Sequence, residues 1–389
     1  MSQPHYSDEK LAKMTELKAV VHDPRYEIVP IVGGGEFLYD PQVFWNWAAD
    51  GAHTIWGQKK DSILISDIGG QPQRETDWAM GHGAILRLNP DNEWETIMAH
   101  GVGRQAGVFR PIVAPEGWGE WGGHIFFLSQ VVPHRKGAIN DHLIYRIGPG
   151  ETKPDAFATL PRAGTLNDGV TGAGLTGVFG RPGTPEAGKF LVFSMANCTI
   201  YAVDPDGRVE PYLQVPGMPY RVYYADPEIV GEENVLVVET QTGAGGFADN
   251  ESEEARSHDW HPVHYRIVGR EVVPQNIEAL KGGPGHRAPA GFGPFAGDYF
   301  RPENNGFVVT VHWVASDEDG VTAFPYTTTI MRRDEKGEEQ VFVSNVQAGQ
   351  NLIGFAGDRM IVTNMGQSYS TGNFKHPDGV VFAVRYKGE

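Results

Sequence analysis

The feature that most limits the fold of this chain is a six-fold repeat of short apolar strands. Each copy begins with a polar or Gly/Pro-rich lead, continues as an apolar run, and ends in a polar pair. The copies are Ser62–Asp67, His124–Gln130, Lys189–Met195, Asn234–Thr240, Gly306–His312 and Arg359–Asn364. Six copies in 389 residues give about 65 residues per unit, which suits a four-stranded propeller blade with long loops.

Further strands follow most of the copies. Alternating segments that we interpret as the next strand of a meander are 84–90, 142–147, 199–205 and 380–385, and third strands are predicted at 95–98 and 340–343. Segment 26–31 has the pattern of an outer strand without its inner ones, so we expect it to complete the last blade. The predicted fold is all-β: a six-bladed β-propeller.

The domain division follows from where strand patterns begin. Only the first twenty residues have a helical pattern, with Leu11, Met14 and Leu17 on one face. We therefore predict a short N-terminal extension with helical character over residues 1–25 and a single propeller domain over residues 26–389. The 50 glycines and 27 prolines are dispersed through that domain, as turns between many strands require.

Charge and composition exclude several classes of function. The chain has 32 basic and 49 acidic residues and a net charge of −17, which disfavours binding to nucleic acid or to anionic membranes. No apolar run is long enough to span a bilayer, and the N-terminus lacks the apolar core of a signal peptide. The single cysteine, Cys198, fits a reducing compartment and a buried thiol. We expect a cytoplasmic protein, monomeric or homodimeric, whose partner is a small-molecule substrate.

Short motifs add a resemblance to a known family. The pairing of Ala52–Trp56 with Ile63–Ile68 resembles the first blade of the gluconolactonase/regucalcin (senescence marker protein) family. Segments 85–91 and 200–207 are similar to its recurring strand and turn, and Asn167–Gly169 is similar to its substrate loop. Strictosidine synthase-like and paraoxonase-like propellers share this pattern. The resemblance implies a six-bladed propeller and lactone or ester hydrolysis.

The same resemblance implies one divalent metal, usually calcium, held by Glu, Asn and Asp oxygens. The matching positions hold Ala52, Ala173 and the Pro219–Arg221 segment, so the expected ligands are replaced. Two alternatives stay open: Glu36 or Asn167 takes over as a ligand, or the calcium site has been lost. The sequence alone leaves the cofactor undetermined.

The candidate site is formed by polar residues that lead into the inner strands, together with residues at the ends of those strands and in their loops. The second group is Glu239, His286, His312 and Trp313. We predict His53, His312, Tyr220 and Arg221 as catalytic, because histidine suits acid–base chemistry and tyrosine and arginine can stabilise an oxyanion. The predicted substrate-binding residues are Arg110, Asn167, Asp168, Glu239, His286, Trp313, Gln350 and Asn351. The alternative interpretation is that these groups satisfy one another's hydrogen bonds along a buried channel.

Two other patterns have more than one interpretation. Phe44, Trp45, Trp47, Trp56, Trp118 and Trp121 would either line a mouth for an aromatic substrate or pack between blades. The three-residue spacing of His258, His261 and His264 suggests a zinc site, but it matches no compact zinc motif. A strand beginning there would place His261 and His264 on different faces. A surface loop at these histidines is the default.

We therefore predict an enzyme, most simply a lactonase-like hydrolase. A metal-independent lyase, isomerase or condensing enzyme of the strictosidine synthase type is the first alternative. A non-catalytic ligand-binding propeller is the second. Scaffold propellers usually have regular tryptophan–aspartate or kelch repeats, and this sequence has neither.

Overall fold

The computed structural model describes residues 19–32, 47–53, 62–67, 84–91, 93–99, 108–129, 142–161, 173–194, 198–224, 232–242, 261–274, 306–315, 322–333, 339–347, 351–356, 359–364 and 380–387. Within these ranges every regular secondary-structure element is a β-strand. This confirms the predicted all-β class. The helical pattern predicted near the N-terminus lies outside the described residues.

The described residues form 24 strands. The first twelve are β1 Val20–Val21, β2 Tyr26–Val32, β3 Trp47–His53, β4 Ser62–Asp67, β5 Ala84–Leu88, β6 Trp94–Met98, β7 Phe109–Val113, β8 Ile125–Ser129, β9 His142–Ile147, β10 Asp155–Leu160, β11 Ala173–Phe179 and β12 Phe190–Ser194. The others are β13 Thr199–Val203, β14 Val209–Gln214, β15 Met218–Tyr224, β16 Leu236–Thr242, β17 His261–Val268, β18 Glu271–Pro274, β19 Gly306–Ala315, β20 Thr322–Arg333, β21 Glu339–Gln347, β22 Asn351–Ala356, β23 Arg359–Asn364 and β24 Val380–Tyr386.

These strands form six four-stranded sheets, the strand content expected of six propeller blades. Four sheets are simple meanders: β3–β6, β7–β10, β11–β14 and β15–β18. The other two, β19–β21 and β22–β24, each take their outermost strand from the N-terminal part of the chain. Strand β1 pairs antiparallel with β21, and β2 pairs antiparallel with β24. The prediction that segment 26–31 completes the last sheet is confirmed.

The six apolar copies do not all occupy the same place in their sheets. Five of them coincide with the second strands β4, β8, β12, β16 and β23, whereas Gly306–His312 lies in β19, the first strand of its sheet. First and second strands can both be buried on two faces, and an apolar run is then the same in either place. The pattern therefore predicts a strand but not its rank in the sheet.

The chain divides into two compact units. Unit 1 comprises Met1–Gln73, Ala84–Ile97 and Glu278–Glu389, and unit 2 comprises Arg74–Gly83 and Met98–Ile277. Residues 20 and 21, predicted to belong to the N-terminal extension, form β1 and join a sheet of unit 1. The predicted boundary at residue 25 and the single domain over 26–389 stay predictions.

In unit 1, two clusters of apolar side chains join its three sheets. Tyr26 of β2 is buried between the last two sheets, with its ring 5.0 Å from that of Phe342 and 5.2 Å from that of Tyr386. A second cluster, which includes Ile63, Leu86 and Ile361, packs the β3–β6 sheet against β22–β24. Burial of this kind contributes about 1.5–3 kcal/mol for each large side chain.

In unit 2, the β7–β10 and β11–β14 sheets are joined by aromatic rings. Trp118 is 3% exposed, and its ring lies 5.2 Å from Phe126, 5.8 Å from Phe157 and 5.0 Å from Phe179. Phe179 in turn stacks on Phe190 at 4.4 Å. Of the two roles predicted for Trp118, packing between sheets is therefore the one observed.

Hydrogen bonds from large side chains connect the turns of unit 2. Trp118 Nε1 donates to Gly188 O at 3.1 Å, and Trp121 Nε1 donates to Pro205 O at 2.7 Å. Tyr212 Oη donates to the buried Glu186 carboxylate at 2.7 Å. Burial, together with this hydrogen bond to Glu186, raises the pKa of Tyr212 well above its ordinary value of 10.0. These contacts connect the turns of the β7–β10 and β11–β14 sheets.

The turn between β13 and β14 is formed by the Asp-Pro-Asp-Gly segment at residues 204–207. Gly207 N donates to Asp204 O at 2.9 Å, and Gly207 has a φ of 81°, which disfavours any other residue type. Asp204 accepts from Lys189 Nζ at 2.6 Å and from Arg208 Nε at 2.8 Å. The hydrogen bond from Lys189, with that from Arg208, lowers the pKa of Asp204 below its ordinary value of 3.8.

Asp204→Asn is expected to lower the free energy of unfolding by about 1 kcal/mol at pH 7. The folded-state pKa lies below the unfolded one, so this stabilisation is present above pH 4 and is lost as the pH falls through the folded value. Urea unfolding at pH 7 and at pH 3 measures it. Asp206→Asn is the matched control, because Asp206 accepts the backbone N–H of Arg208 at 3.1 Å. An equal loss at both pH values would contradict the assignment.

Cys198 is a buried thiol, as predicted. It is fully buried in the core that joins the β11–β14 and β15–β18 sheets. Its φ of 52° is unusual for a residue other than glycine. Its carbonyl accepts a hydrogen bond from Val215 N at 2.8 Å, which fixes the turn in which it lies.

Candidate functional site

Eight of the twelve predicted site residues lie on described strands. His53 ends β3, Arg110 is in β7, Tyr220 and Arg221 are in β15, Glu239 is in β16, His312 and Trp313 are in β19, and Asn351 begins β22. Asn167, Asp168, His286 and Gln350 lie outside the described residues. Seven of the eight are therefore on the first strand of a sheet, and Glu239 is on a second strand.

Breaks in strand register coincide with several of these positions. One extra residue on β7 places Arg110 and Pro111 opposite Phe127 alone. In β15, Pro219 pairs with Thr240 and Arg221 pairs with Glu239, so Tyr220 is the bulged residue. Register shifts also flank Trp313 on β19. Bulges change the direction of a side chain and are frequent beside active sites, so Arg110 and Tyr220 stay candidates for a functional role.

Within the β15–β18 sheet, strand pairing brings together three residues of different charge. Arg221 of β15 pairs directly with Glu239 of β16, and Glu239 pairs directly with His264 of β17. The Cβ atoms of directly opposed residues lie about 5 Å apart. Arg221, Glu239 and His264 therefore form a continuous row across three strands, which we call the β15–β17 row.

The β15–β17 row lies on the face of the sheet away from the core of unit 2. Val222 and Val238 also pair with one another, and both are buried in the core shared with β11–β14. Successive residues of a strand alternate between faces. Positions 221 and 239 are therefore on the other face from Val222 and Val238.

The structure groups the predicted residues by unit. Arg110, Tyr220, Arg221 and Glu239 all belong to unit 2, where the first strand β11 contacts both β7 and β15. His53, His312, Trp313 and Asn351 belong to unit 1, where β22 contacts β3. His53 pairs with Ser62 at the end of β3, whereas Asn351 pairs with Asn364 at the start of β22. His53 and Asn351 thus lie at different ends of their sheets.

His264 is the residue of this set that the sequence analysis did not select as a site residue. The sequence grouped it with His258 and His261, and the observed strand β17 begins at His261 as the alternative interpretation required. His261 pairs with Thr242 and His264 with Glu239. Their odd spacing puts them on opposite faces of the sheet. The sequence signal that could have identified His264 was the antiparallel pairing of the Asn234–Thr240 strand with the strand that follows it in the chain.

The positions at which the resemblance implies calcium ligands do not provide them. Ala52 lies in β3 and Ala173 begins β11, and Tyr220, at the position of the family's Asp, lies in β15. Two of these positions carry methyl groups and the third a phenol. Calcium requires several oxygen ligands, so these residues do not fit it. Across the ranges described, no three His, Cys, Asp or Glu residues are grouped as a metal site requires.

A surface cleft of about 510 Å³ lies elsewhere in unit 2, between Trp121, Phe157 and Pro205. Within it, Arg146 covers the Trp121 ring at 4.4 Å and pairs with Asp155 at 3.1 Å. The ring and the cation in the cleft therefore contact each other. None of the predicted site residues lines it.

Comparison with solved structures identifies the fold. An α-L-arabinanase from Penicillium chrysogenum matches with 13% identity and a TM-score of 0.52 over 95% of this chain and 99% of its own. The GH93 α-L-arabinofuranosidase of Fusarium graminearum matches with 14% identity and a TM-score of 0.51 over 93% and 98%. The chain has a β-propeller fold. This confirms the fold predicted from the repeats and from the family resemblance.

Other comparisons are weaker. A gluconolactonase from Xanthomonas campestris is also among the structures matched, with 10% identity and a TM-score of 0.45 over 94% of this chain and 99% of its own. No protein-family model matches the sequence, and no curated protein matches it. The described residues include no helix long and apolar enough to cross a membrane.

Proposed function

We propose that the protein is an enzyme that hydrolyses the ester or lactone bond of a small organic molecule, with its reactive groups on β15, β16 and β17. The observation that carries the proposal is the β15–β17 row, in which Glu239 lies between Arg221 and His264. A carboxylate next to a histidine is the arrangement that supports a general base. The cation of Arg221, together with the phenol of Tyr220 at the adjacent bulge, is able to stabilise an oxyanion.

The proposed roles follow from the chemistry of each residue. His264 takes a proton from water, and the water oxygen attacks the carbonyl carbon. Glu239 stabilises the imidazolium that forms, while Arg221 and Tyr220 stabilise the negative charge on the carbonyl oxygen. The C–O bond to the leaving group then breaks, and His264 returns its proton to the leaving oxygen. Water is consumed, and the products are a carboxylic acid and an alcohol, or one hydroxy acid from a lactone.

The general base in this proposal is His264, whereas the sequence analysis predicted His53 or His312. His53 and His312 belong to unit 1, whereas Tyr220 and Arg221 belong to unit 2. His264 is on the same sheet as Tyr220 and Arg221, two strands away. Because a base acts through short hydrogen bonds, a histidine on the same sheet is the simpler choice. Catalytic roles for His53 and His312 stay predictions.

The test is a hydrolysis assay in which the acid released by the full chain is measured. The panel of substrates is a sugar δ-lactone, γ-butyrolactone, dihydrocoumarin and phenyl acetate. We expect turnover of at least one compound, and we expect Arg221→Gln to lower kcat/KM by about 10²–10³-fold, the usual effect of removing one oxyanion donor. Arg266→Gln is the matched control on β17, because Arg266 pairs with the exposed Glu232 at 2.7 Å.

Two results would contradict the proposal. One is the absence of turnover above the uncatalysed rate for every compound of the panel. The other is an equal loss of kcat/KM in Arg221→Gln and Arg266→Gln, because a general effect on the sheet would then explain both. Circular dichroism of the variants shows that the strands are retained.

A further inference from the structure

Arg87 of β5 is a buried cation with unused hydrogen-bond donors. Its side chain is 0% exposed, and Nη2 donates to Oε2 of Glu95 on β6. The Nε and Nη1 groups have no hydrogen-bond partner. A buried donor left unpaired costs about 1–3 kcal/mol, so a bound ion or water is one physical explanation for such a group in a native protein.

A second unpaired polar group lies on the adjacent strand. Ser66 of β4 is fully buried, and its Oγ has no hydrogen-bond partner. Leu64 pairs with Arg87 and Ser66 pairs with Ile85, so Ser66 and Arg87 are diagonal neighbours on one face of the sheet. Diagonal neighbours are within reach of a long side chain. The hydroxyl of Ser66 can donate a hydrogen bond, as can both free groups of Arg87.

The charges at this place favour an anion over a neutral ligand. The Glu95 side chain is 49% exposed, so water screens its charge more than that of the buried Arg87. A second guanidinium, that of Arg359, is also buried and donates to Asn89 O at 2.8 Å, at the end of β5. The unpaired Oδ1 of Asn89 is an acceptor and takes no part in binding an anion.

We propose that Arg87 and Ser66 bind a small monovalent anion of the chloride class at the β3–β6 sheet. The anion accepts hydrogen bonds from Nε or Nη1 of Arg87 and from Oγ of Ser66. It also balances the part of the Arg87 charge that the half-exposed Glu95 leaves uncompensated. The site is structural, because Arg87 is fully buried and belongs to none of the residues proposed for catalysis.

The test compares thermal unfolding of the full chain in sodium chloride and in sodium methanesulfonate at equal ionic strength. A ligand that binds only the folded state raises Tm in a saturable way, by roughly 1–3 °C at a tenfold excess over Kd for a chain of this length. We expect this rise for the wild type and for Arg385→Met, whose exposed guanidinium contacts Glu27. We expect no chloride-specific rise for Arg87→Met.

A crystal of the wild type grown in sodium bromide gives a second measurement that does not need the variant to fold. The expected result is an anomalous bromide peak within hydrogen-bond distance of Arg87 Nε or Nη1. An ordered water without anomalous signal at that place would overturn the proposal. So would a chloride-dependent rise in Tm that is the same in the wild type and in Arg87→Met.

Discussion

Replacing Trp118 by alanine is expected to lower the free energy of unfolding by about 3–5 kcal/mol, the usual cost of removing a buried large aromatic side chain. Trp118 contacts rings from two sheets of unit 2, among them Phe126 of β8 and Phe179 of β11. Its truncation removes these contacts, opens a cavity between the sheets, and deletes the hydrogen bond to Gly188 O. Urea unfolding followed by tyrosine and tryptophan fluorescence measures the loss.

Two controls make the result specific. Trp118→Phe keeps a ring in the cluster and loses the indole N–H, so we expect about a third of the alanine effect. Val273→Ala removes an apolar side chain that is 46% exposed, and its effect is expected to stay within about 0.5 kcal/mol. If Trp118→Ala costs less than about 1 kcal/mol, the aromatic cluster does not join the two sheets as described.

Replacing His264 by asparagine is expected to lower kcat/KM by about 10²–10⁴-fold with the best substrate of the hydrolysis panel, the range for a lost general base. In the wild type, kcat/KM should rise with pH as the imidazolium of His264 loses its proton, because only neutral imidazole accepts a proton. His264→Asn should lose this rise. Pre-steady-state and steady-state assays over pH 5–9 measure both effects.

Glu239→Gln separates positioning from catalysis in the same row. A carboxylate opposite an imidazole favours the protonated form and raises its pKa, so removing the charge should move the rise in kcat/KM to lower pH. His22→Asn is the control histidine, since His22 lies on the other unit with its Nε2 2.7 Å from Ser344 Oγ. A pH profile of His264→Asn that retains the wild-type rise would exclude His264 as the base.

The sequence predicted the strands better than the site, and the difference has a physical cause. Apolar runs such as Ser62–Asp67 and Arg359–Asn364 become strands with the same bounds because both of their faces are buried. Asp204 and Gly207 form their turn through a hydrogen bond between their own backbone groups. A short segment of sequence is therefore enough to predict the turn. The sequence also predicted that segment 26–31 completes the last sheet, because this segment has the pattern of an outer strand and no inner strands beside it.

The site depends on register, which local patterns do not determine. One inserted residue, Tyr220, decides that Arg221 rather than its neighbour pairs with Glu239. His264 comes from a segment in which three histidines drew attention to a metal, and only the pairing of β16 with β17 shows that Glu239 is its partner. A one-residue slip would have changed every pair. Residues that meet across strands are therefore the part that required a structure.

The placement of β1 and β2 has a consequence for the order of events on the ribosome. These two strands precede the other described strands in the chain, whereas their partners β21 and β24 lie in its C-terminal part. Side-chain contacts beside these pairs span 322 residues (His22 to Ser344) and 358 residues (Glu27 to Arg385). At about 5–20 residues per second, translation leaves β2 without its partner for roughly 20–70 s. During that time its unpaired edge is open to aggregation or to a chaperone. Two sheets of unit 1 can be completed only after the C-terminal strands have emerged.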